Sequence, residues 1–261
     1  LGVCVASVAP LLLGFLFDRP FAGFAAGFAL LAFGAALAMQ HEWRGTSLPD
    51  SSGFGTVLRD AQARRLLLIA LVNAAPVAVT STLFLFYVEL ALEAPGWEGP
   101  LLLLFFLAAA GAAPFWGLLA ERFGARRVLL SAMVLGIVAF GGALTLGPGD
   151  VVPFALVCLA SGAVLGADLT LLPAMFAARM AQVAPSAAEG FGLWSFVSKL
   201  TLAFAAIALL PALEGAGLAT AGGESPPEAL DLLIWFYAGV PCALKLIAIA
   251  LLAGAKEMET S

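Results

Sequence analysis

Apolar residues fall into long uninterrupted blocks with only short polar stretches between them. The blocks cover roughly 1–17, 20–39, 66–91, 99–120, 127–147, 151–177, 190–213 and 230–254. Each is close to the ~20 residues a helix needs to cross the hydrocarbon core. None shows the period-two alternation of a barrel strand, and an open sheet edge has no hydrogen-bond partners in lipid. The pattern predicts an all-α polytopic membrane protein with about eight transmembrane helices.

Composition sharpens this. The 261 residues are 62% hydrophobic and 11% charged, with a mean hydropathy of +1.06. A soluble domain of this size has no use for so much apolar surface. The net charge of −5 comes with no basic stripe, so nucleic acid is excluded as a partner. Cys4, Cys158 and Cys242 lie in apolar runs, without a CxxC or a nearby histidine; they read as free buried thiols, and no metal site or cofactor is expected. His41, beside Glu42 and Arg44, reads as a solvated loop residue. The chain opens at Leu1 with no initiator Met and no charged n-region. It therefore reads as starting partway into a longer protein, with no signal peptide.

Loop charges give an orientation. Arg44, Arg59, Arg64 and Arg65 lie in one connection and Arg122, Arg126 and Arg127 in another two spans on; Arg179 and Lys256 fall on the same side. Opposite stand Asp18, Glu93, Glu98, Asp150, Glu214, Glu224, Glu228 and Asp231, with Arg19 the lone cation. The positive-inside rule then places 41–65, 178–189 and the C-terminus in the cytoplasm, and the protein in a cell membrane, a bacterial inner membrane. Tyr87, Trp97, Trp235 and Tyr237 are expected at the outer interface. The Gly-, Ser- and Pro-containing stretch 41–65 reads as a linker between 1–40, two helices of one bundle, and 66–255, a six-helix bundle, with 256–261 a cytoplasmic tail.

The spans differ in polarity. Spans 20–39 and 127–147 look lipid-facing. Three others, 66–91, 151–177 and 190–213, carry polar residues, with helix-breaking Gly and Pro among them: Asn73, Pro76, Thr80, Ser81 and Thr82; Ser161, Asp168, Thr170 and Pro173; Trp194, Ser195, Ser198 and Lys199. Such helices line wet cavities in transporters, or glue one helix to another.

Asp168, Lys199 and Lys245 stand inside these apolar runs. A charge at that depth costs about 3 kcal/mol even on the insertion scale, and usually marks a pathway. Asp168 and Lys199 both lie about 14 Å from the cytoplasmic end at 1.5 Å per residue. Adjacent antiparallel helices would bring them together as a buried pair, functional or purely structural. Lys245, about 12 Å from its inner end, is expected to snorkel. Arg179 is expected to meet headgroups or close an inner gate, and Glu89 to be wet.

The run Gly117-Leu-Leu-Ala-Glu121-Arg122-Phe-Gly124-Ala-Arg126-Arg127 sits on one cytoplasmic turn. Gly117 suits close helix approach and Gly124 a tight reversal; Glu121 suits an acceptor role toward Arg122 or Arg126. The run resembles the cytoplasmic loop signature of the major facilitator superfamily, with Glu121 in place of the usual Asp. A second stretch, Gly166-Ala-Asp168 to Pro173 and then Glu189-Gly190 to Lys199, is similar to helices ten and eleven of the glycoside–pentoside–hexuronide:cation symporters, relatives of melibiose permease. It departs from them where Ala178-Arg179-Met180-Ala181-Gln182 replaces an acidic run.

The resemblance implies a major facilitator-type bundle holding helices five to twelve, with the first four missing. It also implies that Glu121 belongs to a gate facing the cytoplasmic end of the first span. The function implied is secondary active transport of a small solute, a sugar or glycoside, coupled to Na+ or H+ by alternating access, with the cation site in the missing helices. A monomer in the lipid bilayer is expected. Other readings are a drug exporter or lysolipid carrier of the same superfamily. An intramembrane transferase is more remote, because no DxxxD or HxxxD occurs. The substrate or ion pathway is expected among Asn73, Thr80, Asp168, Thr170, Trp194, Ser195 and Lys199.

Overall fold

A computed structural model describes residues 20–39, 53–183, 188–218 and 225–254; the span expected over 1–17, the linker's first part, 41–52, and the tail 256–261 lie outside them. The chain divides into two compact units, 1–51 and 52–261. In the first, α1 (Pro20–Met39) is a helix of small and apolar residues, and nearly all its described side chains are exposed.

In the second unit the regular structure of the described residues is entirely helical. A short α2 (Phe54–Arg59) precedes six helices long and apolar enough to cross a membrane: α3 (Ala61–Ala91), α4 (Glu98–Phe123), α5 (Ala125–Ala143), α6 (Val151–Val183), α7 (Ala188–Gly215) and α8 (Pro227–Ala253). They match the six apolar blocks but overrun several of them, because polar groups stabilise helix ends beyond the hydrocarbon. Asp60 caps α3, accepting the Ala63 N–H at 2.7 Å. Gly124, at φ +88°, reverses the chain between α4 and α5, a conformation a side chain would strain. Its N–H closes α4 on the Ala120 carbonyl (2.9 Å), and its carbonyl accepts from Val128 (3.2 Å).

Sequence neighbours are not always spatial neighbours. The most extensive contact runs between α4 and α6; α6 also lies along α5, α3 against α7 and α8, and α8 against α5. Small residues make the α4–α6 contact close. A Cβ on Gly162 would meet the Phe105 carbonyl oxygen, and one on Gly166 would lie 2.5 Å from that of Ala109. This is a small-xxx-small seam of the kind that lets membrane helices pack backbone to backbone. Trp116 of α4 ties it, donating its indole N–H to the Ala163 carbonyl at 2.7 Å. Gly117, expected at a close approach, has nothing within 4 Å of its Cβ direction; the intimate glycines are on α6.

Two apolar clusters fill the unit. One, toward the acid-bearing end, is built around Tyr87, Phe154, Leu101 and Tyr237. The other, toward the arginine-bearing end, is built around Leu66, Met133, Phe176 and Leu252. In the first, α3 and α8 each widen into a π turn, Tyr87–Ala91 and Trp235–Gly239. Each turn supplies a tyrosine, and the two rings stack at 4.1 Å with Phe154 beside them. The Tyr87 hydroxyl donates to the Ala143 carbonyl at 2.7 Å. Tyr87 and Tyr237 are therefore core residues and not interfacial ones, while Trp97 and Trp235 are exposed. Likewise α5, expected to face lipid, buries one face (Leu129, Met133, Gly136, Phe140) and exposes another (Val134, Val138).

Because a backbone oxygen has nowhere to move, Gly166→Ala is expected to cost about 1–3 kcal/mol. Gly141→Ala, whose Cβ meets nothing within 4 Å, should be neutral or slightly stabilising through helix propensity. Thermal unfolding of the two variants in detergent checks the contrast; equal behaviour would refute the close seam.

Candidate functional site: a buried cation held by three helices

Between the two apolar clusters lies one polar layer. The Lys245 ammonium on α8 donates to Asp168 Oδ2 on α6 at 2.6 Å and to Asn73 Oδ1 on α3 at 2.7 Å. All three side chains are buried, Lys245 to 1% exposure. The lysine stem passes Gly136 on α5, where a Cβ would lie 3.8 Å from Lys245 Cε and 3.2 Å from Val164 Cγ1; the bare backbone makes its room. The second carboxylate oxygen, Asp168 Oδ1, is buried without a hydrogen-bond partner.

This corrects two expectations. Asp168 pairs with Lys245 and not with Lys199, and Lys245 does not snorkel. The cause is adjacency: α7, which carries Lys199, packs on α3, whereas α8 packs on both α3 and α5. Lys199 is exposed on α7. Ser195, on the same helix, is exposed too, and Trp194 is half-buried against Phe176, with ring centroids 5.1 Å apart. Thr170 donates to the Gly166 carbonyl at 2.7 Å.

Two helical turns toward the acid-bearing end, a cleft of about 260 Å³ opens among the same three helices and α4 and α5. Thr80 is seven residues beyond Asn73, Ser161 seven before Asp168 and Tyr237 eight before Lys245, so the cleft lies about 11 Å from the charged layer. Phe84, Phe105, Phe106 and Phe140 form its apolar walls, and Thr80, Ser81, Ser161 and Tyr237 bring hydroxyls. Thr80 and Ser161 donate to carbonyls of their own helices, Pro76 at 3.0 Å and Val157 at 2.6 Å. Their oxygens keep lone pairs for an incoming donor.

The arginine-bearing end is a set of clamps. Arg126 donates to the Leu252 and Ala253 carbonyls (3.2 and 2.7 Å), and Arg65 to that of Leu251 (3.1 Å). Two cations thus satisfy the orphan carbonyls and the negative end of α8. Glu121, expected to accept from Arg122 or Arg126, is exposed and takes no described arginine; Arg122 lies over the Phe123 ring at 5.3 Å. Gly124, Arg126 and Arg127 border a cleft of about 380 Å³ that Gln62, Arg179 and Gln182 also line. Arg179 grips Asp60 with Nε to Oδ1 at 3.0 Å and Nη2 to Oδ2 at 2.5 Å. The same carboxylate that caps α3 therefore fastens it to α6. The Arg179 hydrogen bond is the main reason the Asp60 carboxyl titrates below its ordinary 3.8. The stability this adds is present above that value and is lost as pH falls through the lowered one.

The family model described as MFS/sugar transport protein matches residues 1–254. No curated protein matches the chain.

Asp168→Asn leaves a buried ammonium without its counter-ion and is expected to cost about 3–5 kcal/mol. Lys199→Ala, on an exposed face, should change stability by less than about 0.5 kcal/mol. Denaturation of the protein in mixed micelles compares them, and a larger loss at Lys199 would contradict the assigned pairing.

Proposed function

Since the chain belongs to the major facilitator superfamily, within its MFS/sugar transport protein family, we propose that it is a carrier, not an enzyme, that moves a sugar or glycoside by alternating access, coupled to Na+ or H+. The observation that carries the sugar reading is the cleft of phenyl rings and hydroxyls among α3, α4, α5, α6 and α8. A sugar presents C–H faces and hydroxyl edges on one small body. Phe84, Phe105 and Phe140 suit the faces, or an apolar aglycone, and the hydroxyls of Thr80, Ser81, Ser161 and Tyr237 suit the edges. Glu189-Gly190 and Lys199 support the melibiose permease-like branch. Positive-inside charge supports a cytoplasmic arginine-bearing end, in a monomer in a cell membrane.

Alternating access needs a fixed binding site about which one part of the protein rocks against another. The charged layer supplies a rigid floor: three helices tied to one ammonium move together. The cleft above it then keeps its shape while its surroundings change.

Counterflow by the full-length protein in liposomes, with a panel of glycosides and with or without Na+, tests the reading. Tyr237→Phe removes one hydroxyl and is expected to lower glycoside exchange about tenfold, the worth of one hydrogen bond. A lysolipid or a drug held by the rings alone would be indifferent to that change. Exchange of such a probe but of no glycoside would overturn the sugar assignment.

A further inference from the structure

The Asp168–Lys245 pair is unusual in its stoichiometry of partners. The ammonium has three N–H donors and the described residues take two, through Asp168 Oδ2 and Asn73 Oδ1. The carboxylate has a second oxygen, buried and unpartnered. A pair kept only to fasten helices is most stable when every such atom is satisfied. This one leaves an acceptor open at the centre of a membrane bundle.

We propose that Asp168 Oδ1 is a proton-binding site, and that the carrier is coupled to H+ through it. The proposal rests on the transporter reading above. A proton from water forms an O–H bond at Oδ1 and leaves a neutral carboxylic acid. The cluster goes from net zero to net +1, and the proton returns to water when it is released. Lys245 keeps Asn73 as its remaining acceptor.

An alkali cation fits the site poorly. The space between the carboxylate and amide oxygens is already filled by an ammonium, and a second cation there would stand against the first. A proton needs no such space. Among the described residues the surrounding elements bring no other charge to the pair. α3 offers Asn73 and α5 the bare backbone of Gly136. α4 faces α6 through alanines, with Trp116 bonded to Ala163. On α8 Cys242 donates to the Ile137 carbonyl at 3.5 Å, and on α6 Cys158 lies ten residues away. Lys199 on α7 is exposed, and Glu89 and Arg179 lie near opposite helix ends.

Coupling follows from electrostatics. Protonation strips Lys245 of its counter-ion in a dry core, a state that low dielectric penalises heavily. The proton-bound protein therefore favours whichever conformation lets water reach the ammonium. A ligand that binds one of two states better shifts the equilibrium toward it, and here the proton is that ligand. The cleft above, which those three helices line together with α4 and α5, is where a solute would sense the change.

The decisive variant removes both charges at nearly constant volume: Asp168→Asn with Lys245→Met in the full-length protein. Reconstituted with a radiolabelled p-nitrophenyl glycoside as probe, it is expected to take up the probe equally with and without a pH gradient, whatever its remaining exchange, whereas the unmodified protein accumulates the probe on that gradient. Retained gradient-driven uptake would overturn the proposal and leave the pair structural. If the unmodified protein exchanges no probe, the transporter reading fails as well; if it exchanges but accumulates on a Na+ gradient alone, only this inference fails. Asn73→Ala gives a second readout. The proton-bound state, in which Asn73 is the ammonium's last partner, loses more than the resting state, so the pH midpoint of uptake should fall by about one unit; an unmoved midpoint counts against the site. A third needs no solute. The infrared difference between acid and neutral protein in lipid should contain a carboxylic acid band that Asp168→Asn abolishes, and no such band means no proton is taken up.

Discussion

A single ammonium group has to be kept charged and dry at mid-depth, and much of the second unit is arranged around it. Lys245 is almost wholly buried, so its charge is stable only if oxygens replace the water it gave up. Asp168 and Asn73 supply them from two other helices, and Gly136 on a fourth supplies the room. The consequence is mechanical. Helices that are far apart in sequence, α3, α6 and α8, share one fastening point where two apolar clusters meet. Lipid tails are as apolar as leucine, so burial alone does little to choose helix neighbours in a membrane. A shared charge does choose them, because every other arrangement strands it.

The rest of the packing reinforces that choice at different depths. Glycines of α6 let α4 approach to backbone contact, and a tryptophan closes the seam. At one end arginines from α3 and α5 cap the last carbonyls of α8, while Arg179 binds Asp60. At the other end the stacked tyrosines join the π turns of α3 and α8. The result is a polar layer with a firm frame on both sides and a hydroxyl-lined cleft above it. Family membership makes this frame part of a transporter, and the sugar and proton assignments give its two polar features distinct tasks.

Much of this was legible before any coordinates. Six apolar blocks became six membrane-length helices, because block length and hydrogen-bond demand in lipid leave no other regular structure. The motif around Gly124 points to the superfamily, and the match over 1–254 supports it. The importance of Asp168 was readable from its depth. Its partner was not. Depth alone admits Lys199 and Lys245 almost equally, and only adjacency along the chain favours Lys199. The fold sets α7 beside α3 instead. Asn73 stood among the polar pathway residues, but nothing in its spacing linked it to α8, 172 residues away. Closeness in sequence offers Glu121 either Arg122 or Arg126; in the fold, helix-end carbonyls take Arg126. Pairings between helices are decided by bundle topology, and one sequence carries that only weakly.

The account stands on the charge pair joining α6 to α8, and a double-mutant cycle on Asp168 and Lys245 measures it directly. Unfolding free energies of the unmodified protein, the two single neutral variants and the double variant should give a coupling energy of about 3 kcal/mol or more, the range for a desolvated pair, and the same cycle on Asp168 and Lys199 should give almost none. A coupling near zero for Asp168 and Lys245, or one as large for Lys199, would contradict it.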